Sequence, residues 1–373
     1  MRNLFLLIFL FANGCSTNTE LSNNEPPFKV IGYVAGWKNL DISAIDPFSF
    51  THINYAFANL IDGRVTEGDG RFEQDSLNLA ALNSLKTVNP DLKILISIGG
   101  WTWSKGFSNA VSSPEGIKRL TDSALEYLLR HQLDGLDFDW EYPGLPGNDN
   151  PYREEDRENF VLMLESVRSA LDSLGEIHGK YYLNTIASGG FKAYVDANNL
   201  GEAQKHLDYI NIMTYDFTGV WASETGHHAN LFASNDSMRS AYDAVLLHLE
   251  AGVPAKKLVL GAAFYGKAWK SVYPINSGLY QSAQGWRNFS FKDIQLFLDN
   301  PDYEQYWDSV SKAPYLWNEK DSIFLTYENS SSIKAKADFI KEKGLAGMMF
   351  WEYHEDSDEL ILLEAINKHL GNN

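Results

Sequence analysis

From residue 29 onward, short apolar runs alternate with longer segments in which apolar side chains return every three or four positions. The short runs predict eight strands, at 29–34, 50–58, 93–98, 133–140, 181–187, 209–214, 257–263 and 346–351. Several are nearly continuous in Val, Ile and Leu (KILISI at 93–98), as expected of parallel strands covered on both faces. Between them, 114–132 places Ile117, Leu120, Ala124, Leu125 and Leu128 on one helical face. Segment 154–174 does the same with Phe160, Leu162, Leu164, Val167 and Leu171. It opens on acidic residues, where the helix dipole favours them. Segments 236–252 and 332–344 read likewise, with Gly252 and Gly344 as C-terminal stops. Eight such units close most economically into an α/β fold, a (β/α)8 TIM barrel. The competing architecture, a doubly wound open sheet, calls for a Gly-rich phosphate turn after its first strand. GYVAGW at 32–37 is not one.

Two stretches break the rhythm. After the seventh strand, 267–327 lacks a crossover helix and is rich in turn residues and aromatics, with one short helix expected at Phe291–Leu298. So long an interval folds on itself rather than staying a loop. It reads as a small α+β insertion on the face where barrel active sites lie. At the N-terminus, Arg2 precedes nine apolar residues, Leu4 to Ala12, too few to span a bilayer that needs about 20. This is the form of a secretory signal. The run ends at Ala12-Asn13-Gly14-Cys15, which resembles the lipobox of bacterial lipoproteins, although the usual aliphatic residue three before the cysteine is Ala12 here. Cys15 is the only cysteine, and an unpaired thiol in an oxidising compartment would be a liability. Acylation of Cys15 and attachment at the cell envelope are therefore expected. The predicted organisation is a signal at 1–14, a Ser/Thr/Asn/Pro tether at 15–28, a barrel from 29–266 and 328–373, and the insertion at 267–327.

Charge narrows the partners. The chain has 31 Lys+Arg against 49 Asp+Glu, a net charge of −18, which argues against nucleic acid because phosphates need cations to displace their counterions. An uncharged polymer remains open. Ten Trp and nineteen Tyr exceed what a core requires and suit a surface that stacks on sugar rings. A monomer is expected, with membrane contact only through the lipid anchor.

The informative segment is Asp134-Gly135-Leu136-Asp137-Phe138-Asp139-Trp140-Glu141-Tyr142-Pro143. Side chains alternate along a strand, so Leu136, Phe138 and Trp140 point toward the helices while Asp137, Asp139 and Glu141 point into the barrel. Successive acids then lie about 6.6 Å apart. Three inward carboxyls cannot all ionise, so one stays protonated near neutral pH, as a general acid must. Glu141, nearest the C-terminal mouth, is the expected acid. Asp134 has the other parity and reads as structural. Gly226-His227-His228 lacks a third ligand at workable spacing, so no metal and no cofactor are expected.

The segment DGLDFDWEYP is similar to the Asp-x-x-Asp-x-Asp-x-Glu signature of glycoside hydrolase family 18, the chitinases and their relatives. The run to Trp101 resembles the family's third-strand Ser-x-Gly-Gly motif through Ser97, Gly99 and Gly100. Met213-Thr214-Tyr215-Asp216-Phe217 resembles the sixth-strand motif, and Gly347–Trp351 the eighth-strand segment. The resemblance implies a retaining hydrolysis of chitin in which the substrate's own 2-acetamido oxygen is the nucleophile. It implies Glu141 as acid and base, Asp139 as orienter of the acetamide N–H, Asp137 as its proton-sharing partner, and Tyr215 as donor to the acetamido oxygen. Asp216 and Met213 would line the reacting subsite over a Trp351 floor. Trp37, Trp101 and Trp221 would stack on neighbouring sugars, with Tyr33 and Tyr265 also contacting substrate. Where the family often has Tyr-x-Arg, this chain has Tyr265-Gly266-Lys267, which puts one substrate contact in doubt. The rival readings are an endo-β-N-acetylglucosaminidase acting on N-glycans, a catalytically silent chitin-binding lectin, and an ordinary retaining glycosidase with Asp139 as nucleophile.

Overall fold

The computed structural model describes residues 28–235 and 238–372. The 1–14 leader, Cys15 and all of the tether but Phe28 lie outside the described residues. The eight strands are Lys29–Ala35, His52–Ile61, Lys93–Gly99, Gly135–Asp139, Leu183–Gly189, Tyr209–Met213, Leu258–Ala263 and Gly347–Trp351. Each runs parallel to the next. The first pairs with both the second (Ile31 opposite His52) and the eighth (Lys29 opposite Gly347), so the sheet closes into a barrel and has no open edge. That closure excludes the doubly wound alternative.

Helices Phe72–Ser84, Pro114–Arg130, Asp156–His178, Ala241–Glu250, Ser330–Lys343 and Ile361–Leu370 pack around the ring. Their ends follow local chemistry. The Ser113 hydroxyl accepts from Gly116 N ahead of Pro114, and the Ser240 hydroxyl accepts from Asp243 N. The helix expected from residue 236 therefore starts at Ala241. Leu136, Phe138 and Trp140 are buried in the outer layer, where Trp140 stacks 5.1 Å from Phe107. Burying each such side chain contributes about 1.5–3 kcal/mol. The opposite faces of the same strand carry Asp137 and Asp139 into the ring.

The second strand runs past the barrel rim to Ile61 and returns as Arg64–Thr66. Asp62 and Gly63 make the turn at φ 51° and 72°, the left-handed pair a tight hairpin requires. After the seventh strand the chain builds an antiparallel sheet in the order Gln284–Ser290, Tyr265–Lys270, Ile323–Thr326, Ala313–Asn318, Glu304–Asp308, with helix Phe291–Leu298 against it. Its first strand starts at Tyr265, two residues after the barrel strand ends. The insertion is thus a wall rising from the barrel mouth beside the eighth strand.

Candidate active site

Asp137 is fully buried at the centre of the ring and accepts four hydrogen bonds. Tyr33 Oη and Ser97 Oγ each donate at 2.8 Å to one oxygen. Thr185 Oγ1 at 2.6 Å and Asn211 Nδ2 at 3.3 Å donate to the other. Burial raises this carboxyl above its ordinary value, while the four donors pull it down. Each Asp137 oxygen is thus met by two donors. The Asp139 carboxyl is held well above its usual range by burial and then by the neighbouring Glu141 and Asp137 charges. Asp139 Oδ1 is buried with no hydrogen-bond partner among the described residues.

Glu141 follows just past the regular strand end. Its backbone N–H donates to Ser104 Oγ at 2.9 Å, and its carbonyl accepts from Asn150 Nδ2. Ser104 Oγ also lies 3.1 Å from the Asp139 carbonyl, so one hydroxyl fixes the backbone at two successive acids. This close approach explains the first of the paired glycines. Gly99 has φ 109°, and a Cβ there would stand 2.4 Å from the Asp139 carbonyl oxygen. Burial pushes the Glu141 carboxyl up to about 7, opposed by a hydrogen bond from the Tyr142 hydroxyl and assisted by the Asp216 charge. No Lys or Arg is recorded pairing with Asp137, Asp139 or Glu141 among the described residues. Asp134 differs as its parity requires. It pairs with Lys86 and Lys180 and accepts from Ile94 N, a structural role.

Across the mouth from Glu141, Trp351 lies on the eighth strand. Its ring stacks 5.4 Å from Phe57 and sits 5.7 Å from Tyr33 and 6.1 Å from Trp37. Tyr215, with Met213 beside it, packs with Trp351 on this inner cluster. The Tyr215 hydroxyl is pushed well up by burial and the surrounding carboxylates, so it remains a donor. Tyr265 Oη donates to Asp216 Oδ1 at 2.6 Å. Burial would raise Asp216, but His228 and the Lys267 ammonium hold it well below the usual carboxylate range.

Two placements differ from expectation. Tyr33, expected on substrate, is buried beneath the floor and serves Asp137 through its hydroxyl. Lys267 is 2% exposed, 2.8 Å from Asp216 and 4.4 Å above the Trp221 ring. The doubtful substrate contact is therefore an internal ion pair. His227 turns to Asp308 at 3.3 Å and His228 toward Asp216 at 3.9 Å, so the two rings diverge. Among the described residues no three His, Cys, Asp or Glu side chains gather as a metal site. Trp37, Trp101 and Trp221 are half or more exposed around the mouth, where rings are free to meet a ligand. Trp101 stands edge-on to Tyr142 beside Glu141.

Sequence reasoning missed Ser104, Thr185, Asn211 and Phe57. Thr185 and Asn211 carried a signal, each being the polar residue among the inward-facing positions of its strand (Leu183, Thr185, Ala187; Tyr209, Asn211, Met213). Ser104 carried none, because its role depends on a short helical turn meeting the next strand.

The family described as glycosyl hydrolases family 18 matches residues 29–356. Chitinase A1 of Niallia circulans is 35% identical over 96% of this chain and 61% of its own length, so the chain spans under two thirds of that relative. Chitinase 1 of Aphanocladium album is 32% identical over 88% of this chain and 82% of its own. Among solved structures, a glycoside hydrolase family 18 N-acetylglucosaminidase from Paenibacillus barengoltzii superposes with TM-score 0.83 at 38% identity. It covers 92% of this chain and 100% of its own.

Proposed function

The chain belongs to the glycosyl hydrolases of family 18, and from that premise we propose that it hydrolyses β-1,4 bonds between N-acetylglucosamine units with retention, the substrate's acetamido oxygen acting as nucleophile. In this reading Glu141 protonates the leaving oxygen and later takes a proton from the attacking water. Asp139 meets the acetamide N–H with the oxygen that lacks a partner, and Asp137 steadies the proton they share. Tyr215 donates to the acetamido oxygen and holds it at attack distance. Trp351 floors the reacting sugar.

The observation that carries the reading is the unequal state of the acids. Asp137 is satisfied four times over, while the Asp139 carboxyl is held well above its usual range, toward its neutral form, with one buried oxygen unmet. A neutral carboxylic acid is a poor nucleophile, which weighs against a glycosyl-Asp139 intermediate. The presence of Glu141 weighs against a silent lectin. The inserted wall suits a linear chain better than a branched glycan. The Paenibacillus barengoltzii likeness favours one further reading, release of single sugars from chain ends. Product analysis of the N-acetylglucosamine hexamer tests these together. The first products are expected in the β-anomeric form, as dimers to tetramers for internal cleavage. Monomer alone supports the end-acting reading, and α-anomer released first contradicts retention. The apolar leader before Cys15 supports export and lipid attachment. A Cys15→Ser chain is then expected in the soluble fraction, and its retention with membranes contradicts the anchor.

A further inference from the structure

Arg71 lies at the start of helix Phe72–Ser84 and, among the described residues, makes no hydrogen bond or ion pair with the carboxyl ladder, yet its guanidinium is held by several neighbours. Nη2 donates to the Phe57 carbonyl at 3.2 Å, and Nε lies 3.5 Å from Asp75 Oδ1. Asp75 is itself fully buried and fixed by Tyr55 Oη at 2.7 Å and Gly68 N at 2.9 Å. Gly68 leaves room for the fork, since a Cβ there would collide with the guanidinium. The Cζ of that fork is 4.9 Å from the centre of the Trp103 ring and 5.9 Å from that of Trp37.

The rings it touches continue the floor of the reacting subsite. Phe57 stacks on Trp351 at 5.4 Å and 17°, and Trp37 stacks on Phe57 at 6.2 Å and 21°. One cation therefore grips both the backbone of the middle ring and the face of the outer one. Trp37 is half exposed, and its neighbour Lys38 is already tied to Glu352 at 2.7 Å. The loop is thus fixed on one side, while the ring itself rests on Phe57 and Trp351, with the Arg71 guanidinium 5.9 Å from its centre. A sugar stacking on a ring already held in place avoids the ordering cost of a free one. Arg suits this better than Lys because its planar group stacks on aromatics while still donating in its own plane.

We propose that Arg71 is a positioning residue that holds the Trp37–Phe57 extension of the Trp351 floor, and so sets the preference of the cleft for longer chains. The proposal rests on the chitin-hydrolysing reading. The test compares kcat/KM on a fluorogenic two-sugar substrate with that on the N-acetylglucosamine hexamer, for the parent, Arg71→Ala, Arg71→Met (which keeps the apolar stem) and Arg71→Lys. Both Ala and Met variants are expected to lose about tenfold on the hexamer, close to 1.4 kcal/mol, mainly through KM. On the short substrate the loss is expected to stay within about threefold, and Arg71→Lys to recover part of the hexamer loss. Arg71→Ala added to Trp37→Ala is expected to cost nothing beyond Trp37→Ala alone. Equal losses on both substrates, or losses that add in the double variant, overturn the proposal. A parent that cleaves no N-acetylglucosamine oligomer overturns the activity reading first and this proposal with it.

Discussion

Glu141→Gln is expected to lower kcat on N-acetylglucosamine oligomers by about 10³-fold, with KM little changed. The amide keeps the shape and the backbone anchors to Ser104 and Asn150 but has no proton to give. The pH profile gives the sign. Burial pushes Glu141 up to about 7, so the parent's kcat/KM is expected to fall about tenfold per unit above that value as the proton leaves the free enzyme. The residual activity of Glu141→Gln is expected to lack that limb. Stability falls with rising pH as well. An acid raised on folding binds more protons in the folded state, so its contribution is intact below about pH 4.5 and lost as pH rises toward about 7. The variant is therefore expected to melt higher than the parent at pH 8 and alike at pH 4. A variant within a few-fold of the parent in turnover would remove Glu141 from the acid role.

The parts of the molecule legible in its sequence are those governed by local period. The barrel strands were readable because several are nearly continuous apolar runs between turn residues. The row Asp137, Asp139, Glu141 was readable because strand parity is independent of what surrounds it. Helix Phe291–Leu298 was likewise local. Helix Phe72–Ser84 was not picked out, since its buried positions include Asp75 and Asn78 while Phe72 and Leu77 face outward. The hairpin at Asp62-Gly63 was hidden for another reason, as the strand leading into it never stops at the rim.

The remainder required ring closure. Tyr33 on the first strand and Asn211 on the sixth meet at Asp137 from positions 178 residues apart. Nothing in the local sequence of either announces the meeting. Lys267 illustrates the same limit. Its position after the seventh strand suggested a hand for substrate, but Asp216, the Trp221 ring and the insertion wall enclose it. The local residues thus supplied the acids, and the closed ring supplied the donors that make them unequal.

The second large effect concerns the substrate instead of the protein. If Asp139 is neutral and Asp137 already saturated, neither carboxyl is available to attack the anomeric carbon, and the nucleophile must arrive with the sugar. Tyr215, its hydroxyl kept protonated by burial and nearby carboxylates, has a role only if an acetamido oxygen is there to receive it. Oxygen held at attack distance within one molecule can be worth many orders of magnitude, with effective molarities on the order of 10⁵ M or more. The most direct measurement is the turnover of two tetramers of N-acetylglucosamine units, one fully acetylated and one fully deacetylated, under identical conditions. Loss of at least about 10⁴-fold in kcat/KM on the deacetylated chain is the expected result. Cleavage of both at comparable rates would contradict it and return the nucleophile to an enzyme carboxylate.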